Sequence, residues 1–139
     1  MAVSKNLFPV TVDRNVAVAM RDGTVLCADI YRPKANRGIP VLVERTPYSK
    51  ERDPEKGARI AERGFVYVAQ DVRGRYASDG EFGAGFFRAE HTDSEDGYDT
   101  IEWAAALPYS NGNVGTVGTS YAGWTQMELA HVRPPHLKA

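Results

Sequence analysis

Ser120 is the residue whose neighbours best fit a chemical role. It lies in the hexapeptide Gly118-Thr119-Ser120-Tyr121-Ala122-Gly123, where a predicted strand passes into a predicted helix. A serine on such a sharp turn presents its hydroxyl above the sheet edge, where it can attack an acyl carbon. The small Gly118 and Gly123 would let the strand and the helix cross closely. The backbone N–H of Tyr121 would then point at the oxygen that becomes negative during the attack.

The spacing G-x-S-x-x-G differs from the commoner G-x-S-x-G, and a second interpretation fits the same six residues. A tight turn whose serine only caps the following helix has a similar composition. The choice between a nucleophile and a helix cap therefore depends on the elements that precede Ser120.

Those elements begin with a predicted antiparallel hairpin. Apolar residues alternate with smaller or polar ones over 16–20 and again over 25–31, and Arg21-Asp22-Gly23 supplies the turn between them. This pattern is typical of two paired strands joined by a glycine-containing turn. The first ~14 residues show no clear period.

The rest of the chain alternates between strands and helices. A strand at 39–43, a helix at 54–63 with Asp53 as its N-cap, and a strand at 65–69 predict a parallel pair. The remaining predicted elements are a helix from about 93 to 107, a turn at 111–113, a strand at 114–118 and a helix at 121–132.

This order predicts an α/β fold of the α/β-hydrolase type, present here as its N-terminal part. An antiparallel hairpin leads into a parallel sheet with flanking helices, and the chain is cut off after the helix of the nucleophile elbow. Residues 1–139 are accordingly expected to form the N-terminal portion of one domain. The last parallel strand is expected to leave one apolar sheet edge open.

Four motifs resemble the X-Pro dipeptidyl-peptidase (S15) and cocaine esterase (CocE/NonD) family in content and order. They are Met20-Arg21-Asp22-Gly23, Arg45-Thr46-Pro47-Tyr48, Gln70-Asp71-Val72-Arg73-Gly74-Arg75 with Ser78-Asp79-Gly80, and Gly118-Thr119-Ser120-Tyr121. The resemblance runs from about residue 15 to the end and corresponds to the N-terminal part of the family's catalytic domain. It implies a serine hydrolase that cleaves ester, amide or X-Pro dipeptide bonds through an acyl-enzyme intermediate, without a cofactor.

The resemblance also implies roles for three residues. Ser120 would be the nucleophile, the Tyr121 backbone N–H the first oxyanion donor and the Tyr48 hydroxyl the second. Tyr48 follows the end of a buried strand, where a loop above the sheet begins, which is compatible with that role. Without the resemblance, Pro47-Tyr48 also fits a loop that carries a half-buried aromatic ring.

Two charged segments have structural interpretations beside a functional one. The loop that begins at Asp71 leaves the end of a parallel strand, so it would either contact substrate or be held by ion pairs between Asp71 and its arginines. Four carboxylates further on are expected to cap and charge the start of a helix, where its dipole favours them. They are Glu90, Asp93, Glu95 and Asp96.

The chain lacks an obvious acid and base for Ser120. Only 19 residues follow it (139 minus 120), with no aspartate, one glutamate at Glu128, and His131 and His136. His131 is eleven residues further along the same helix, about 16 Å up its axis. We expect these histidines and His91 to be surface or packing residues, without a suitably placed carboxylate partner.

A base and an acid are therefore expected in a part of the protein absent from this chain, and the 139 residues alone are expected to be inactive. The alternative is a non-catalytic fragment or a degenerate copy that lacks the acid and base of the triad.

Composition excludes several other classes of protein. The 17 basic and 18 acidic residues give a net charge of −1 and are scattered, which disfavours nucleic acid or an anionic membrane as a partner. The lone Cys27 cannot form an internal disulfide, and neither a metal-ligand spacing nor a phosphate loop is present. We expect a cytoplasmic protein that acts on a small ester, amide or short peptide, and a homo-oligomer is compatible with this.

Overall fold

The first two strands form the predicted hairpin. The computed structural model describes residues 7–83 and 92–139. In it, β1 (Val10–Ala19) pairs antiparallel with β2 (Val25–Pro33). β1 begins earlier than its sequence pattern indicates. It contains a bulge, since the register shifts between Asp13 and Val16 and Asn15 adopts a positive φ of 52°. Such a bulge interrupts the two-residue period, which explains why the sequence shows no clear alternation there.

The predicted parallel pair is also present. β3 (Ile39–Thr46) lies beside β4 (Val66–Asp71), and α1 (Pro54–Glu62) connects them. Asp53 caps α1 as predicted, since its carboxylate accepts a hydrogen bond from the Lys56 backbone N–H at 2.9 Å.

The last three elements are α2 (Thr92–Ala105), β5 (Ser110–Thr116) and α3 (Tyr121–His131). The predicted turn at 111–113 is wrong, because these residues lie inside β5. Gly112 has a φ of 82° there, and the pairing of β5 with β3 is irregular at this level. The turn-like composition therefore marks a local irregularity in a strand. None of the helices in the described part of the chain is long and apolar enough to cross a membrane.

The five strands form one mixed sheet in the order β1-β2-β4-β3-β5, with helices on both faces. α2 and α3 cover the face that carries the larger core, and α1 covers the other. Side chains of β3 and β4 alternate between these two faces. The larger core includes Val41, Val43, Val66, Val68, Ile101 and Leu129, and the smaller one is formed by Tyr31, Ala61, Tyr67 and Ala69.

The predicted open edge beside β5 is partly paired. Residues 136–139 run along it, with a parallel bridge between Val114 and Leu137. The Val114 N–H donates to the His136 carbonyl at 3.0 Å, and the Lys138 N–H donates to the Val114 carbonyl at 2.7 Å. These bonds satisfy backbone groups of β5 that would otherwise be unpaired.

Candidate active site

Ser120 lies on a strained turn between β5 and α3. Its backbone has φ 57° and ψ −124°, which is costly for any residue with a side chain. The Ser120 side chain makes no capping hydrogen bond to α3, so the helix-cap interpretation of this serine is not supported. Its carbonyl accepts from the N–H groups of Gly123 at 2.9 Å and Trp124 at 3.0 Å. The residue itself is exposed, which leaves its hydroxyl open to the cleft that it lines.

Gly118 lets the strand and the helix cross closely, as expected. A Cβ atom on Gly118 would lie 2.7 Å from the Cβ of Ala122 and 2.9 Å from its carbonyl oxygen, and the φ of Gly118 is 154°. The same expectation is wrong for Gly123, whose added Cβ would meet nothing closer than 3.8 Å. The small residue that the crossing requires on α3 is Ala122, two positions after Ser120.

The Tyr48 hydroxyl lies between the other two predicted site residues. It is 3.1 Å from the Ser120 Oγ, and it accepts a hydrogen bond from the Tyr121 backbone N–H at 3.3 Å. The bond with Ser120, the bond from Tyr121 and the nearby positive charge of Arg52 lower the pKa of the Tyr48 phenol. A phenol that gives up its proton more readily is a stronger hydrogen-bond donor to a developing negative charge.

The loop that carries Tyr48 is fixed by buried contacts. The Tyr48 N–H donates to the Thr46 hydroxyl at 3.0 Å, and the Lys50 N–H donates to the Asp71 carboxylate at 2.7 Å. The Lys50 ammonium lies 3.1 Å from Asp29, and both side chains are almost completely buried. The Tyr48 hydroxyl is therefore placed by its loop before a substrate binds.

A cleft of about 520 Å³ opens beside Ser120 on the α1 face of the sheet. Sequence reasoning missed most of its lining, because the missed side chains come from β3, the loop after it, α1 and β4 and form no motif. Glu44 accepts hydrogen bonds there from the Tyr67 hydroxyl and the Lys56 ammonium. The full lining is Glu44, Thr46, Tyr48, Ser49, Lys50, Arg52, Asp53, Lys56, Tyr67, Ala69, Thr119 and Ser120.

The ring of Tyr121, the residue that follows Ser120, lies close to two other aromatic rings. The Tyr121 ring lies 5.1 Å from Trp124 and 5.9 Å from Phe82, measured between ring centroids. The Phe82 side chain is exposed. Trp103, by contrast, packs against the larger core.

Residues 22–139 match the X-Pro dipeptidyl-peptidase (S15) family. The chain belongs to this family. It is 39% identical over 127 residues to the cocaine esterase of Rhodococcus sp. (strain MB1 Bresler), an alignment that covers 86% of this chain and 21% of that protein. The chain thus spans about a fifth of the length of this curated S15 relative.

Solved structures confirm the α/β-hydrolase type of fold. A CocE/NonD family hydrolase from Staphylococcus aureus superimposes with a TM-score of 0.83 at 30% identity, covering 93% of this chain and 26% of that one. An aminopeptidase from a Thaumarchaeota archaeon gives a TM-score of 0.82 at 32% identity, covering 100% of this chain and 26% of that one. The family resemblance seen in the four sequence motifs is therefore confirmed.

The contacts that hold the loop after β4 differ from the predicted ion pairs between Asp71 and the arginines of that loop. Asp71 is buried and accepts hydrogen bonds from backbone N–H groups, those of Lys50 and Ala77, so it forms no ion pair with the arginines. Burial raises the pKa of the Asp71 carboxyl. Arg73 pairs instead with Asp96 at 2.7 Å and with Asp22 at 2.8 Å.

The acidic residues around the start of α2 also form ion pairs with arginines outside the helix. Asp93 and Glu95 lie in its first turn, as expected. Asp93 also pairs with Arg45 at 3.0 Å, and the Arg45 side chain is almost fully buried. Asp96 is buried against Arg73. The prediction for Glu90 lies outside the described residues.

None of the histidines in the described part of the chain bonds to Ser120. His136 has a carboxylate partner, since its Nδ1 lies 2.7 Å from the Glu102 Oε2, but this pair is not placed where it could serve Ser120. The His136 ring lies near Gly112, at the opposite end of β5 from Ser120. His131 is exposed at the end of α3, and the prediction for His91 lies outside the described residues.

No group of three or more His, Cys, Asp or Glu within residues 7–83 and 92–139 could hold a metal ion. Cys27 is a free, buried thiol whose pKa is raised by burial.

Proposed function

We propose that this chain is the nucleophile-bearing, N-terminal portion of a serine hydrolase that cleaves ester or amide bonds through an acyl-enzyme intermediate. The observation that carries the proposal is the position of the Tyr48 hydroxyl, within 3.1 Å of the Ser120 Oγ and 3.3 Å of the Tyr121 N–H. One side chain thus contacts both the proposed nucleophile and the proposed backbone donor.

In the proposed reaction, the Ser120 oxygen attacks the acyl carbon of the substrate. The carbonyl oxygen takes up the electron pair, and it replaces the Tyr48 hydroxyl as the partner of the Tyr121 N–H. The Tyr48 hydroxyl then donates to the same oxygen. Each such donor is worth about 3 kcal/mol of transition-state stabilisation in hydrolases of this kind. Collapse expels the alcohol or amine, and water then hydrolyses the acyl-serine.

The proton of Ser120 needs an acceptor, which we place outside these 139 residues. In the proposal, a histidine takes the proton from Ser120 and gives it to the leaving group, and an aspartate orients that histidine. The chain spans about a fifth of its curated relative, which is compatible with a triad completed elsewhere in a longer protein. We call that longer product the full-length protein below.

The proposed substrates are small esters, amides or short peptides. The names of the relatives, which include an esterase and an aminopeptidase, support this range without choosing within it. The cleft beside Ser120 has the size of a small-molecule site. A cytoplasmic location is compatible with the free, buried Cys27.

A second candidate is a non-catalytic fragment or degenerate copy. The observation that favours it is the absence of a histidine bonded to Ser120 among the described residues, since His131 and His136 lie elsewhere. This candidate predicts that no longer product exists and that the 139-residue chain melts cooperatively by itself.

The test is labelling with a fluorophosphonate, which reacts with an activated serine, followed by intact-mass measurement of the native protein. The hydrolase proposal is supported if the label appears on a species much heavier than 15.3 kDa and if the Ser120→Ala variant of that species is not labelled. Ser110→Ala is the matched control, because Ser110 begins β5 at the end away from Ser120 and does not line the cleft, so labelling should be unchanged. An unlabelled species of 15.3 kDa would favour the non-catalytic alternative.

A further inference from the structure

The cleft beside Ser120 holds charged side chains of both signs, and most of them neutralise one another. The Lys56 ammonium bonds to the Glu44 carboxylate, which also accepts from the Tyr67 hydroxyl. Asp53 caps α1 through the Lys56 backbone N–H and lies 4.0 Å from the Arg59 guanidinium. These contacts satisfy both carboxylates of the cleft and one of its cations.

Lys50, a second cation of the cleft, is neutralised by two carboxylates that do not line the cleft. The Lys50 ammonium lies 3.1 Å from Asp29 and 3.2 Å from Glu51, and its side chain is 2% exposed. Lys50 therefore anchors the loop and is not available to a ligand.

Arg52 differs from these two lysines. It is exposed, it lines the cleft, and within residues 7–83 and 92–139 no carboxylate lies within ion-pair distance of its guanidinium. Its guanidinium carbon lies 5.3 Å from the centroid of the Tyr48 ring. The backbone there is fixed as well, because the Arg52 N–H donates to the Ser49 carbonyl at 3.1 Å.

The position of the Arg52 guanidinium over the Tyr48 ring determines how far this cation lies from the substrate bond that Ser120 would attack. The hydroxyl of that tyrosine contacts Ser120, so the guanidinium lies about one tyrosine side chain away from a carbonyl bound at the hydroxyl. A guanidinium presents a planar fork of N–H donors that matches a carboxylate. A short acyl chain that ends in a carboxylate would bridge from Ser120 to Arg52.

Building on the proposed function, we infer that Arg52 binds a free carboxylate of the substrate. The site then prefers esters or amides of short dicarboxylic acids to those of neutral acids of the same length. Arg52 is a binding residue in this inference, and the chemistry at Ser120 does not require it.

The experiment compares two nitrophenyl esters in the full-length protein, the monoester of adipic acid and the ester of hexanoic acid. The quantity measured is the ratio of their kcat/KM values. Wild-type protein should favour the adipate ester, and Arg52→Gln should lower this ratio about fivefold to tenfold. Any effect of Arg52 on the Tyr48 hydroxyl acts on both esters and cancels in the ratio. Added salt should lower the wild-type ratio and leave that of Arg52→Gln unchanged, because salt screens an exposed charge pair.

Arg63→Gln is the matched control. Arg63 is an exposed arginine directly after α1 that donates to the Arg59 carbonyl and does not line the cleft, so its loss should leave the ratio unchanged. A wild-type protein without preference for the adipate ester, or an unchanged ratio in Arg52→Gln, would overturn the inference.

Calorimetric titration with adipate separates this inference from the proposed function. If neither ester is hydrolysed, the hydrolase proposal fails for these esters, and binding alone decides the role of Arg52. Adipate that binds wild-type protein and Arg63→Gln but not Arg52→Gln would support it. Equal binding by all three proteins, or no binding, would refute it.

Discussion

The hydroxyl of Tyr48 lies 3.1 Å from the Oγ of Ser120, although the two residues are 72 positions apart in the chain. Adjacent strands bring them together. β3 pairs in parallel with β5, with Val43 opposite Thr116, and each strand ends shortly before its site residue. Because parallel strands end at the same edge of the sheet, the backbone itself places the two side chains side by side.

Replacement of Tyr48 by phenylalanine should lower kcat about 10²-fold to 10³-fold in the full-length protein. The reason is that one proposed oxyanion donor is lost, whereas the ring and its contact with Arg52 remain. KM should change little, because the lost hydrogen bond belongs to the transition state. Steady-state kinetics with a nitrophenyl ester would measure both quantities.

Tyr76→Phe is the control for this substitution. Tyr76 is 63% exposed and does not line the cleft, so its hydroxyl should not matter. A Tyr48→Phe protein with kcat within twofold of wild type would mean that this hydroxyl is not an oxyanion donor.

The sequence alone was sufficient for the elements with local signals. Asp53 followed by proline identifies the start of α1, and Arg21-Asp22-Gly23 identifies the hairpin turn, because each signal lies within four residues. The proposed role of Tyr48 rests on the family resemblance, since no local pattern says which residue a loop will contact.

The sequence does not predict ion pairs between residues that lie far apart in the chain. The Arg45–Asp93 and Arg73–Asp96 pairs depend on how α2 packs on the sheet, which spacing does not reveal. Gly112 was misread for a related reason. Glycine with a positive φ occurs both in turns and in irregular strands, and only the pairing partner distinguishes the two.

Two alanine substitutions should separate a required glycine from a tolerated one at the elbow. Gly118→Ala should destabilise the protein and abolish fluorophosphonate labelling, because the new Cβ would lie 2.7 Å from the Cβ of Ala122. Gly123→Ala should stabilise it by about 0.5–1 kcal/mol, since this position is helical and has room. Thermal melts would compare the two variants. Equal melting temperatures would contradict the close crossing at Gly118.

Arg73→Met should lower the free energy of unfolding by about 3 kcal/mol, measured by urea denaturation. The substitution leaves the Asp96 carboxylate, which is 2% exposed, without its cation. Arg59→Met is the matched control, because it removes only exposed pairs, with Glu55 and Asp53, each of which is worth at most about 1 kcal/mol. Similar losses in both variants would contradict the idea that Arg73 fastens the loop after β4 to α2.

The Asp29 carboxylate should make stability depend on pH in the acidic range. Burial acts to raise its pKa, but the bonds from the Asn15 N–H, Arg14 and Lys50 outweigh burial and hold the pKa below the usual value of 3.8. A carboxyl group with a lower pKa in the folded state takes up protons more readily when the chain unfolds. Its contribution to stability is therefore complete at neutral pH and is lost as the pH falls below about 4.

Asp29→Asn tests this contribution through urea denaturation at a series of pH values. At neutral pH the variant should be less stable by about 3 kcal/mol, because the buried Lys50 ammonium loses its buried counter-charge. The difference from wild type should shrink as the pH falls below about 4, because the wild-type carboxylate becomes protonated there and loses its advantage. A difference that stays constant with pH would show that Asp29 acts through packing and not through its charge.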